Sequence, residues 1–264
     1  AASDVYKRQR LNMNIIIHRG THQIGGSAIE ISTASTRIIL DFGNELSLDE
    51  KYIPINLDID GVTKGISDCD GIVISHYHMD HLGQLTAALP EIPLYMGVLS
   101  KEVAMISAEY QDKNLYLRLL GANTFRGGEA FTIGDIRIRP LVIDHSAVDS
   151  YMFVIEAEGK RVLYTGDFRM HGLRHHVLDK LVSTYIGEVD VLITEGTSLS
   201  RDADDCISEA TVLDDISSYI QDGKYVFVMC SSTNIDRIMG IWQNMPTDKV
   251  LICDCLLYTS PRPR

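Results

Sequence analysis

The chain has 264 residues, and its 24 Lys and Arg stand against 36 Asp and Glu, a formal net charge of −12. That balance argues against holding a polyanion by surface charge alone, since affinity for phosphates ordinarily comes from Lys and Arg, although divalent ions or a basic cleft would restore it locally. The length suits one large core with part of a second domain, and no apolar run reaches the roughly 18 residues that span a membrane. No signal peptide precedes Met13, so the expected location is the cytoplasm, with no membrane partner. Cys69, Cys206, Cys230, Cys253 and Cys255 are scattered and odd in number, which argues against a disulfide framework or a thiolate zinc site.

In chain order, residues 1–12 carry no clear apolar period, and Met13 reads as a natural start just before a first strand, Asn14-Ile15-Ile16-Ile17. His18 and His22 flank a Gly-rich segment, Gly20 to Ser27, and could approach a site or simply occupy a turn. The apolar run Gly71-Ile72-Val73-Ile74 reads as a buried strand, and directly after it come Ser75-His76-Tyr77-His78-Met79-Asp80-His81. His76 and His78 are two apart and point to one side if the strand direction persists, while Asp80 and His81 lie past its end and can turn toward a second ion. Imidazole with carboxylate suits zinc or a comparable divalent ion.

The stretch from Ala104 to Leu120 reads as one core-packed helix. Two more candidate ligands follow apolar segments: His145 after Ile136 to Asp144, and Asp167 after Arg161 to Gly166. Arg169, Arg174, His175 and His176 cluster next and could line a cleft or form a solvated loop. Val189 to Ile193 reads as a buried strand leading to Glu195, expected either to orient a ligand or to cap its loop. Further on, helices are expected over Ile207 to Ile220 and Ile235 to Trp242, with strands over Tyr225 to Met229 and Lys249 to Cys253. Between them Ser231, Ser232 and Asn234 are candidate phosphate or RNA contacts, or an ordinary helix cap. The tail from Leu256 leaves this pattern, so residues 1–12 and 255–264 read as non-native ends, and the chain reads as stopping inside its second domain.

The H-x-H-x-D-H cluster, with His145 and Asp167 in that order, resembles the metallo-β-lactamase superfamily, a four-layer αββα sandwich. The Gly-rich segment, Ala28 to Ile31 and Arg37 to Gly43 look like its first hairpins. The resemblance implies that His76, His78 and His145 bind one ion, that Asp80 and His81 bind a second, and that Asp167 bridges them. Two ions are therefore the expected cofactors, zinc first and manganese as the alternative. Val189 to Thr197 resembles the first motif of the β-CASP nucleases, and Asp144-His145-Ser146 with Thr165-Gly166-Asp167-Phe168-Arg169 is most similar to the ribonuclease J-like members. One departure is that Ala147-Val148 stand where a proline is expected.

The expected domains are thus a metallo-β-lactamase core over 13–199 and an incomplete α/β β-CASP domain over 200–254. The resemblance implies a metal-dependent nuclease acting on RNA, with DNA as the second candidate; oligomerisation is not encoded in any motif. Asp80 and Asp167 are the expected catalytic carboxylates, Asp167 by fixing the ion spacing and Asp80 by accepting a hydrogen bond from the nucleophile. No histidine follows His176, so the last metal histidine of the family pattern is not encoded in this sequence, and weak or absent activity is expected of these residues alone. Two other readings are a thioester or lactone hydrolase using the same ligands and a non-catalytic RNA-binding subunit.

Overall fold

A computed structural model describes residues 13–46, 55–199 and 206–253. The proposed ends and Cys255 lie outside the described residues, as does the expected domain junction at residue 200. Two sheets organise the core. The first has the order β1 (Asn14–Arg19), β2 (Ala28–Ser32), β3 (Arg37–Leu40), β4 (Gly71–Val73), β5 (Leu94–Gly97) and β6 (Asn123–Phe125). It is antiparallel through β3 and parallel from β3 to β6. The second places β7 (Phe131–Ile133), β8 (Ile136–Ile143), β9 (Ser150–Ala157), β10 (Lys160–Tyr164) and β11 (Val191–Ile193) side by side, antiparallel except for β10 with β11.

Side-chain alternation explains the layering. Ile38 and Leu40 of β3 and Phe153 and Ile155 of β9 point into one cluster between the sheets. Their neighbours point outward: Ile39 joins Ile72, Ala104, Ala108 and Leu115 beneath the helices of the first sheet, and Met152 and Val154 join Leu181 and Ile186 beneath those of the second. The result is helix, sheet, sheet, helix, and strands buried on both faces read as continuous apolar runs in the sequence. The α-helices are α1 (Met79–Leu82), α2 (Val98–Gln111), α3 (Lys113–Leu120) and α4 (Val177–Leu181), which a π-helical segment Val182–Ile186 continues, followed by α5 (Glu209–Asp222) and α6 (Ile235–Gln243).

Three expectations need correction. The single helix over Ala104 to Leu120 is two: Asp112 leaves helical geometry at φ −149°, ψ 97°, and its carboxylate caps α3 by accepting from the amides of Asn114 and Leu115. Tyr225 to Met229 and Lys249 to Cys253 are not strands, because among the described residues no neighbouring strand offers the backbone partners a strand requires. Phe227 is 96% exposed there. The third concerns β11, which is not buried: it is the edge of its sheet, and Leu192 is 56% exposed. No described helix is long and apolar enough to cross a membrane.

Candidate metal centre

The ligand candidates lie where strands of both sheets run out at the same end of the sandwich. β4 leads into Ser75–His81, β8 into Asp144 and His145, β10 into Asp167, and β3 into Asp41. The Tyr151 amide donates to the Ser75 carbonyl at 3.1 Å and joins the two sheets at this end. His76 Nε2 lies 3.1 Å from His78 Nδ1, which lies 3.2 Å from His145 Nε2. Burial, followed by the neighbouring rings, holds His76 well below the ordinary imidazole range. Burial and His81 bring His78 to about 4, and burial and His78 bring His145 to about 3. Three neutral imidazoles thus aim nitrogens at one point. Bonds of about 2.0–2.1 Å to a tetrahedral ion set its ligands about 3.3 Å apart, so the spacing fits such an ion.

The tautomers follow from one buried carboxylate. Asp41 accepts from the Ser75 amide (2.7 Å), the Ser75 hydroxyl (2.8 Å), His81 Nδ1 (2.7 Å) and the Tyr164 hydroxyl (2.5 Å). With its hydroxyl hydrogen directed to Asp41, the Ser75 Oγ accepts from His76 Nδ1 at 3.0 Å, so His76 turns a lone pair on Nε2 toward the centre. His81 is oriented likewise: with Nδ1 bound to Asp41, its buried Nε2 faces two further carboxylates and has no hydrogen-bond partner.

That nitrogen lies 3.3 Å from Asp167 Oδ1 and 3.6 Å from Asp80 Oδ2, without the alignment of a hydrogen bond to either. Burial opposes a charge on His81, but the Asp41 carboxylate, then Asp167, hold it well above the ordinary range, so this corner favours positive charge. Burial also raises Asp80, with Asp167 adding to the rise; in Asp167 the burial effect is outweighed by His81 and His145, and its carboxyl is lowered. Two groups of donor atoms emerge, His76 with His78 and His145, and His76 with His81 and Asp167, each within 4.8 Å of one another. Asp167 turns Oδ1 to His81 and Oδ2 toward His145 at 3.9 Å, the posture of a bridge. Asp80 flanks the second group rather than completing it, and His76 takes that place.

Glycines hold Asp80 from behind. The amides of Gly26 and Ser27 donate to its carbonyl at 3.1 and 3.2 Å, and Gly25 and Gly26 both have φ +73°, which other residues rarely adopt. A Cβ on Gly43 would overlap the same carbonyl. Glu195 acts through the backbone: its Oε1 accepts from the Phe168 amide at 3.0 Å and so fixes the turn after Asp167. Asp41 escaped the sequence reading, although it follows a strand end as Asp167 does.

Other candidates are placed elsewhere. His18 binds Glu30 at 2.9 Å on β2, away from the centre. Arg169 pairs with Asp144 (2.8 Å) and Glu209 (3.0 Å), and Arg174 with Asp236 (2.6 Å), so neither is free to line a cleft. His175 and His176 are exposed. Asn234 is a cap, its side chain accepting from the Arg237 amide at 3.2 Å, and the Ser231 hydroxyl meets that of Thr233 at 2.9 Å. Ser232 is half-buried in the same turn.

The family model for the beta-lactamase superfamily domain matches residues 53–215, more than half of the chain, and the chain belongs to that family. With the two donor groups, this supports a metal-dependent hydrolase. Among curated relatives, an RNase J-like protein of Methanocaldococcus jannaschii is 27% identical over 223 residues, 80% of this chain and 49% of the relative. The ribonuclease J of Helicobacter pylori is 25% identical over 236 residues, 83% of this chain and 33% of the relative. The chain therefore spans half or less of the length of these proteins. A solved structure of a protein of unknown function from Enterococcus faecalis shares the fold, with a TM-score of 0.73 at 20% identity over 88% of this chain and 63% of that one.

Proposed function

We propose that this chain is the metal-binding part of a nuclease that hydrolyses phosphodiester bonds in RNA. The observation that carries the reading is the pair of donor groups that share His76, with the Asp167 carboxylate spread between them. His76, His78 and His145 would hold one ion, and His81 and Asp167, with Asp80 alongside, a second; the all-nitrogen and nitrogen–oxygen donor sets suit zinc. When bound, such ions acidify a shared water and offset charge on phosphoryl oxygens and leaving group. The chain's own contribution is orientation. Asp41 and Ser75 keep the imidazole lone pairs inward, and Asp80 offers an acceptor for the proton of an attacking water. Glu195 and the glycines around Asp80 fix the two carboxylates. Curated relatives of this chain carry ribonuclease names, which favours RNA over a small ester. Residues 206–253 lie outside both sheets, which supports reading them as part of a second, β-CASP-type unit.

The test is cleavage of end-labelled single-stranded RNA, alongside thioester and lactone substrates, with zinc or manganese and again after chelation. Metal-dependent RNA cleavage by a chain extended through the second unit, lost in Asp167→Ala, is expected. Turnover of the ester without RNA cleavage would replace this reading with a small-molecule hydrolase, and RNA binding without any turnover would leave a binding subunit.

A further inference from the structure

The residue between His76 and His78 turns its hydroxyl away from the donor groups. Tyr77 is 5% exposed, and its hydroxyl donates to the Thr233 carbonyl at 2.6 Å while accepting from the Val148 amide at 2.9 Å. Its ring meets the edge of His78 at 5.5 Å. Val148 lies in the loop that carries His145, and Thr233 lies in the turn capped by Asn234 at the start of α6. One buried hydroxyl therefore joins the segment of His76 and His78, the loop of His145, and a part of the chain that supplies no donor to either group.

The departure noted at Ala147-Val148 gains a physical meaning here. A proline at position 148 would have no N–H to give, so the bond to Tyr77 exists only because another residue stands there. A second connection runs to the other side of the centre. Arg169, two residues after Asp167, binds Glu209 of α5, and Glu209 also binds Arg237 of α6 through both carboxylate oxygens. The helices beyond residue 206 thus hold both walls of the donor set.

We propose that Tyr77 is a positioning residue through which the unit formed by residues 206–253 sets the geometry of the His76, His78 and His145 group, so that ion affinity there depends on how this unit is docked. Tyr77→Phe removes the hydroxyl and keeps the ring. The readouts are cobalt affinity by competition with a chromophoric chelator, the ligand-field absorption of the cobalt-loaded chain, and thermal melting. Removing an outer partner of a ligand set costs about tenfold or more in affinity. Tyr77→Phe is expected to lose about tenfold in cobalt affinity and to shift the ligand-field bands, with a near wild-type circular dichroism spectrum. Asn234→Ala loosens the turn without touching Tyr77; it should weaken cobalt binding in the wild-type background and add nothing in Tyr77→Phe. Val148→Pro, which removes the other partner, should shift the bands in the same sense.

Unchanged affinity and bands in Tyr77→Phe would overturn the proposal, and so would a lowered melting temperature with both unchanged, which would make the hydroxyl a packing group only. Additive effects of Asn234→Ala and Tyr77→Phe would also overturn it. A wild-type chain that takes up no cobalt would instead remove the metal centre itself, and the proposal with it.

Discussion

Asp41 shows how much of this centre is decided by a residue that touches no ion. It sits at φ +54°, a conformation that Asn tolerates and most side chains do not, so Asp41→Asn keeps the backbone while weakening the acceptor for His81 Nδ1 and the Ser75 hydroxyl. The expected outcome is a loss of about tenfold to a hundredfold in metal affinity with the fold retained, measured by chelator competition beside circular dichroism. The buried rings make a second prediction, for chelator-treated protein. The folded values for His76, His78 and His145 lie below the unfolded value of 6.5, so between that value and about 4 the unfolded chain binds more protons and stability rises with pH. His81, held high, is protonated in both states across that window and adds no slope; Asp80, raised, opposes with one group against three. Denaturant midpoints should therefore fall as pH drops from 6.5 toward 4. A flat or inverted profile would mean that the rings are not held neutral.

At the scale of elements, the inner faces of the two sheets set the distance between the halves of the donor set. Phe153 is fully buried between them, edge-on to Phe125 at 5.7 Å. Phe153→Ala should cost about 3–5 kcal/mol in urea unfolding, as large core truncations do, and should weaken metal binding although no ligand is changed. Most of these elements were legible in the sequence, because β4, β8 and β10 are apolar runs whose ends carry the candidate ligands, and six candidate ligands could be named from type and spacing. What stayed hidden depends on tertiary partners. The Asp41 carboxylate looks like any acid after a strand until His81 and Tyr164 arrive from elsewhere. Arg169 and Arg174 look like a basic cluster until Asp144, Glu209 and Asp236 neutralise them. Tyr225 to Met229 has strand composition, but composition does not supply the hydrogen-bonding neighbour.

For the whole molecule, the charge of −12 now has a consequence that can be measured. Among the described residues Arg169, Arg174 and Arg237 are committed to internal carboxylates, so these three are not free to displace counterions from RNA. Each neutralised phosphate of a single strand contributes about −0.7 to the slope of log affinity against log salt, so a slope shallower than about −2 is expected for RNA binding by this chain. A steep slope would reveal a basic surface that the described residues do not form.

The donor set is also divided in time. His76, His78, Asp80 and His81 belong to the first sheet and leave the ribosome early, whereas His145 is 67 residues beyond His78 and Asp167 is later still. An emerging chain therefore presents the H-x-H-x-D-H segment before the residues that complete either donor group have been made. Both donor groups are complete only when β8 and β10 have paired across β9, so an assembled centre would report that both halves of the sandwich have come together.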